Sequence, residues 1–258
     1  MKETLNLNVL SKIQPSPEAP TALLIHGLGA SSKHWSKIAK DLYDEGFTVY
    51  CPDLPGHGAS PRNELYSPED WAEAIINLNI KPDLIIGHSL GGLLAATIQP
   101  KLKAPTLVLI DPVFVIPGSK KLLPIIRFSF AQSVKNSHWL ARNKTVTQKI
   151  KSVLSKRPIS NMSLWDPKTV QALIPNPRII AKQLTNKDHT VVIFRPKGSL
   201  IFPQRIIKRT TAENIFYHNL KRGHNSHFFH HDNFWILMKD YLKGANNANN
   251  SIPAASTV

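Results

Sequence analysis

Gly87-His88-Ser89-Leu90-Gly91-Gly92 stands directly after the apolar run Leu84-Ile85-Ile86 and directly before Leu93-Leu94-Ala95-Ala96. The run reads as a short buried strand and the stretch after it as a helix of small residues. A Gly-x-Ser-x-Gly between the two is the pattern of a chain that turns from strand to helix within one residue. Such a turn forces Ser89 into strained backbone geometry, and glycine at 87 and 91 leaves room for the close approach it requires. The Ser89 hydroxyl is thereby pushed out at the carboxyl edge of the sheet. There the N–H groups of a helix N-terminus are available to a developing oxyanion.

Working outward, apolar runs at 22–26, 47–51, 84–87 and 106–110 read as parallel strands covered on both faces. Residues 32–45 carry Trp35, Ile38, Ala39 and Leu42 on one helical face, and 68–78 repeats that spacing before the third run. Strand–helix–strand alternation with short connections predicts right-handed crossovers and a mostly parallel, doubly wound α/β sheet. After Ile110 the pattern breaks. It resumes with a strand at 190–194, part of a helix at 206–211, a strand at 214–217 and a closing helix at 233–242. Residues 1–10 alternate like a strand, and 244–258 is Asn/Ala/Ser-rich without periodicity, as a disordered tail would be. The predicted division is a core of 1–111 and 188–243, interrupted by a helical insertion at 112–187.

A length of 258 residues with 42% hydrophobic content suits one large domain with an insertion. The lone cysteine, Cys51, cannot form an intrachain disulfide and reads as filler in the strand Thr48-Val49-Tyr50-Cys51. The N-terminus lacks a basic-then-apolar signal region, and no stretch of about 18 apolar residues occurs. A soluble, cytoplasmic protein is expected.

Other motifs fall in register with the Ser89 turn. His26-Gly27-Leu28-Gly29 follows the first long strand, Asp53-Leu54-Pro55-Gly56-His57-Gly58-Ala59-Ser60 follows the next, and Gly223-His224-Asn225-Ser226-His227 follows the last. With these four motifs in this order, over roughly 5–110 and 190–242, the chain resembles the α/β-hydrolase superfamily. The resemblance implies that Ser89 is the nucleophile and His224 the general base. It places the backbone N–H groups of Leu28 and Leu90 in the oxyanion hole, and a helical cap in the insertion after the strand ending at Asp111. It calls for no cofactor and no metal. His26, His57, His34 and Trp35 read as structural, and His88 as a neighbour that packs or hydrogen-bonds beside the turn. His227 is the substitute base; 227 and 231 stand one helical turn apart, yet no carboxylate or cysteine pattern accompanies them as a metal site would require.

The resemblance also implies an acid in the loop after the 190–194 strand, four residues before a proline. That loop reads Arg195-Pro196-Lys197-Gly198-Ser199-Leu200-Ile201-Phe202-Pro203, so the position falls on Ser199 and no carboxylate is present. The alternative is Asp111, which ends Leu107-Val108-Leu109-Ile110-Asp111-Pro112, where some members of the fold carry their acid. A Ser–His dyad or a decayed site remain open. Asp188 precedes its strand and falls at the wrong edge of the sheet.

Residues 112–187 hold fourteen Lys and Arg against the single acid Asp166, a surplus of 13 within a formal charge of +15. The charge is therefore concentrated in the insertion. It suits either a plain solvated surface or steering of something anionic: an acyl substrate with a carboxylate or phosphate, an acidic carrier protein, or an anionic membrane surface. Leu122, Leu123, Ile125, Ile126, Phe128 and Phe130 point to an acyl-sized pocket. Nucleic acid is not expected, because no aromatic stacking platform or binding motif accompanies the charge. The expected activity is serine hydrolysis of a carboxylic ester or related acyl compound. The alternatives are a carbon–carbon bond hydrolase or lyase using the same Ser–His pair on a carboxylate substrate, and a non-catalytic binding protein with a basic surface.

Overall fold

The computed structural model describes residues 6–61, 68–113, 180, 182–199, 201–202, 212–221 and 223–245. Its strands are β1 (Val9–Lys12), β2 (Thr21–Ile25), β3 (Thr48–Pro52), β4 (Leu84–His88), β5 (Thr106–Ile110), β6 (Thr190–Pro196) and β7 (Ile215–Leu220). The helices are α1 (Ser36–Asp44), entered through a 3-10 turn at Ser32–Trp35, then α2 (Pro68–Ile76), α3 (Leu90–Leu102), α4 (Ser226–Phe229) and α5 (His231–Ala245). Of the strand expected at 1–10, residues 1–5 lie outside the described residues, and pairing with β3 runs from Val9 to Lys12. Helix α5 runs past the end expected at 242 and takes in Gly244 and Ala245, the first residues of the expected tail. Most of the expected helical insertion (114–179), the helix expected at 206–211 and the rest of the expected tail (246–258) lie outside the described residues.

The strands form one sheet in the order β1-β3-β2-β4-β5-β6-β7 among the described residues. Only β1 runs antiparallel to its neighbour; every other pairing is parallel. From β2 the chain moves outward to β3, then crosses back to β4 on the other side of β2. The direction of winding therefore reverses between β2 and β4, and a crevice opens at the carboxyl ends of strands at such a point. Ser89 follows β4 and the His26-Gly27 loop follows β2, so both stand at that crevice.

Period-2 alternation assigns the sheet's side chains to its two faces. Leu23, Ile25, Ile85, Leu107, Leu109, Val191 and Ile193 pack with Trp71 and Ile75 of α2 and with Leu93 and Leu94 of α3. Leu24, Ile86, Val108, Ile110, Val192 and Phe194 pack with Ile38 and Leu42 of α1 and with Phe234 and Met238 of α5. Every residue of β4 and β5 is buried, which is why those strands read as unbroken apolar runs. Each large aliphatic side chain so buried contributes about 1.5–3 kcal/mol. Helix α3 is buried almost all round, with Ile180, Gln183 and Leu184 packed against it. Ile180 and Leu184 join its core cluster, and Gln183 Nε2 donates to the Ala96 carbonyl at 2.8 Å. No helix among the described residues is long and apolar enough to cross a membrane.

Candidate active site

The turn after β4 has the strain that its sequence requires. Ser89 sits at φ +55° and ψ −115°, in the region that side chains avoid. Both glycines of the motif face backbone at contact distance. A Cβ at Gly87 would lie 2.3 Å from the Gly91 carbonyl oxygen, and one at Gly91 would lie 2.1 Å from that of Ile25. Gly92 is equally constrained: its Cβ would meet that of Pro112 at 2.8 Å. The turn is also stitched to the end of β5, since Ser89 N–H donates to Ile110 O at 2.9 Å and Val113 N–H donates to Ser89 O at 3.1 Å. Strain at Ser89 is thus held by packing and backbone hydrogen bonds on both flanks.

Leu90 opens α3; the N–H groups of Gly92 and Leu93 donate back to Ser89 O, whereas those of Leu90 and Gly91 stand ahead of the helical ladder. Leu28 lies in the loop after β2, next to Gly27, whose Cβ would approach the Ser89 Cβ to 3.1 Å. Gly27 thus lies against Ser89, with Leu28 next to it in the loop after β2 and Leu90 next to Ser89 in the chain. The loop after β2 is braced by two histidines. Leu54 N–H donates to His26 Nε2 at 3.0 Å while His26 Nδ1 donates to Gly27 O at 2.8 Å. Gly29 N–H donates to His57 Nε2 at 3.1 Å, and His57 Nδ1 donates to Pro55 O at 3.0 Å. Both rings accept on one nitrogen and donate on the other, the pattern of a neutral imidazole. Beneath them Asp53 accepts from Ser32 N–H at 2.6 Å, Ala59 N–H at 2.9 Å and Asn8 Nδ2 at 2.8 Å. Burial alone would raise its pKa, but these donors outweigh burial and hold the carboxyl below the usual range.

Asp111 and His224 meet although 113 residues separate them: His224 Nδ1 donates to Asp111 Oδ2 at 2.7 Å. The Asp111 side chain is 3% exposed and that of His224 43%. A positive φ of 41° turns Asp111 off the end of β5, and its N–H is anchored to Phe194 O at 2.8 Å. Ser199, at the end of β6 and without a charge of its own, donates its hydroxyl to the other carboxylate oxygen, Oδ1, at 2.5 Å. Ser89, Asp111, Ser199 and His224 follow the carboxyl ends of β4, β5, β6 and β7, strands that are adjacent in the sheet.

Around His224 lies a group of histidines that the sequence reading treated singly. His88 Nε2 donates to the His224 carbonyl at 3.0 Å, and their ring centroids are 4.6 Å apart. His227 is fully buried, packs 4.3 Å from His88 and 5.5 Å from Trp35, and neither of its ring nitrogens has a hydrogen-bond partner among the described residues. It is an aromatic core residue here, and the Asp111 contact belongs to His224. His231 instead pairs with Asp41 at 2.5 Å. Among the described residues no group of three or more His, Cys, Asp or Glu is placed to hold a metal ion.

Burial, first, and then neighbouring histidines depress the pKa values of His88 and His227 well below 6.5. Burial and His224 lower His34, and burial with His57 brings His26 down to about 3. In the unfolded chain these groups titrate near 6.5, so from about pH 6.5 downward the unfolded state binds more protons than the native state. Stability is therefore full above that value and is lost as pH falls toward the folded pKa values. Each unmatched proton steepens the loss by about 1.4 kcal/mol per pH unit. Urea midpoints at pH 7.5, 6.0 and 5.0 should fall in that order; a flat series would contradict neutral burial of these rings.

Sequence reasoning found Ser89, His224 and Asp111 as candidates but missed what Ser199 and His88 touch. No sequence signal could have revealed either contact, because the partners are 88 and 136 residues away.

The profile described as "Alpha/beta hydrolase family" matches residues 22–234. A stretch of 97 residues is 38% identical to the magnesium-chelatase 30 kDa subunit of Rhodobacter capsulatus, covering 35% of this chain and 34% of that one. Another, of 102 residues, is 33% identical to the pimeloyl-[acyl-carrier protein] methyl ester esterase of Chromobacterium violaceum, covering 38% and 40%. The matched stretches thus span little more than a third of these relatives. A carboxylesterase structure from Nitrososphaera gargenis superposes with a TM-score of 0.71 over 93% of this chain and 96% of that one, at 16% identity, which speaks for the fold alone.

Proposed function

Because the chain belongs to the alpha/beta hydrolase family, we propose that it hydrolyses a carboxylic ester or related acyl compound through an acyl-enzyme on Ser89. The observation that carries the reading is the 2.7 Å contact between His224 Nδ1 and the buried Asp111 carboxylate, at the same sheet edge as the strained Ser89 turn. A histidine whose Nδ1–H is committed to a carboxylate has its Nε2 lone pair free to act as base. His224 Nε2 takes the Ser89 proton as the oxygen attacks the acyl carbonyl. The resulting oxyanion is received by the N–H groups of Leu28 and Leu90, each such donor being worth about 3 kcal/mol. The tetrahedral intermediate collapses, His224 returns the proton to the departing alcohol, and the acyl group remains on Ser89. Water activated by the same nitrogen then releases the acid and restores the hydroxyl. Asp111 stabilises the imidazolium that forms.

The substrate reading rests on sequence and on relatives. The surplus of 13 positive charges in 112–187, and a relative whose name specifies an acyl-carrier-protein ester, favour an acyl chain presented by an anionic group or an acidic carrier. The test is to incubate purified protein with p-nitrophenyl acetate and butyrate, and separately with a fluorophosphonate probe. Turnover of the esters and stoichiometric labelling are expected. Inertness to the esters with turnover of a vinylogous diketone acid would transfer the site to carbon–carbon bond hydrolysis. Failure of every substrate and of the probe would leave a binding protein whose basic segment is the working surface.

A further inference from the structure

The loop from β6 to residue 202 is built with more hydrogen bonds than a surface connection needs. Arg195 is buried, and its guanidinium reaches back across the loop, with Nε donating to Phe202 O at 2.7 Å and Nη2 to Ser199 O at 3.3 Å. Ser199 N–H donates to Pro196 O at 3.1 Å, Lys197 N–H donates to Leu220 O at 3.1 Å, and Gly198 takes φ +78° to close the turn. Both ends and the middle of the loop are thereby tied to β6 and β7.

The outcome of this bracing is one oriented hydroxyl. Phe202 N–H donates to Ser199 Oγ at 3.1 Å, which occupies an acceptor position of that oxygen. A serine hydroxyl has a single proton. Ser199 directs it at Asp111 Oδ1, 2.5 Å away. With His224 on Oδ2, both oxygens of the nearly buried carboxylate have a donor, and its plane is held from two sides. We infer that Ser199 is a positioning residue for Asp111: through its hydroxyl it fixes the carboxylate that orients His224. The inference rests on the acyl-enzyme reading above and adds to it a residue that carries no charge and acts only through another.

Removing the hydroxyl leaves Oδ1 buried without its donor and lets the carboxylate rotate away from His224 Nδ1. A hydrogen bond to a charged group of this kind corresponds to about 10-fold or somewhat more in rate. Initial rates on p-nitrophenyl butyrate should therefore show Ser199→Ala with kcat lowered about 10-fold and KM nearly unchanged, since Ser199 touches no substrate. Ser199→Thr, which keeps the hydroxyl, should recover most of that loss. In an Asp111→Asn background Ser199→Ala should cost nothing further, because the hydroxyl there holds an unproductive amide and no longer the carboxylate. Thermal melts of each variant separate a loss of fold from a loss of rate. Wild-type kcat in Ser199→Ala, no rescue by Thr, or an undiminished loss in the Asp111→Asn background would each overturn the inference. A wild type inert on the ester would bring it down together with the acyl-enzyme reading, whereas an active wild type with an unaffected Ser199→Ala overturns it alone.

Discussion

Asp111→Asn is expected to lower kcat about 10,000-fold while the protein folds normally. The substitution is nearly isosteric, and the Asp111 backbone that turns off β5 is held by Phe194 O irrespective of the side chain. What changes is the tautomer of His224. A carboxylate accepts the Nδ1–H at 2.7 Å, which leaves Nε2 without a proton for the role of base proposed above. An amide can offer its NH2 to Nδ1 instead, and the proton then sits on Nε2, where it blocks proton transfer from Ser89. Ser199 favours that wrong arrangement, because its hydroxyl points at Oδ1 and would be answered there by the amide oxygen. Loss of the negative charge also removes stabilisation of the imidazolium. The check is kcat on p-nitrophenyl butyrate across pH, with a urea midpoint to confirm the fold. A fall of less than 10-fold would exclude Asp111 as the acid and leave a Ser–His dyad as the mechanism.

Ser89→Ala should abolish fluorophosphonate labelling and lower kcat by about a million-fold, to the level that binding and oxyanion donors alone can supply. The same position allows a second readout. Ser89 stands at φ +55° in a conformation that costs about 1–3 kcal/mol for a residue with a Cβ. Alanine retains that cost, so Ser89→Ala should melt near the wild-type temperature. Glycine relieves it, and Ser89→Gly should be equally inactive yet melt higher. Loss of activity combined with a gain in stability would identify Ser89 as a site where strain is kept for function. If Ser89→Ala retained the wild-type rate, the nucleophile would have to be sought elsewhere.

Much of this site could be read from the sequence because the relevant physics is local. The turn at 87–91 depends on contacts between neighbouring elements, such as Gly87 against Gly91, and its two glycines state that requirement. Strands β4 and β5 are buried on both faces, so their hydrophobic runs were unambiguous. The edge strand β1, four residues with none fully buried, shows no such run. The Asp53 turn is legible as a motif, but of the three donors that make Asp53 structural only Ala59 lies within it, while Asn8 and Ser32 come from separate segments.

The sequence by itself determined the order of strands and helices, the strained serine turn and a histidine loop after the last strand, because each follows from short-range sterics and the period of hydrophobic burial. It left the acid open between Asp111 and no acid at all, and it could assign Ser199 only a missing charge. The tertiary structure decided that Asp111 faces His224 and that Ser199 completes the carboxylate's hydrogen bonds. Those contacts arise because β5, β6 and β7 are adjacent and in parallel register, which brings three strand ends together. Register between strands is set by packing across the whole sheet, and spacing along the chain does not encode it.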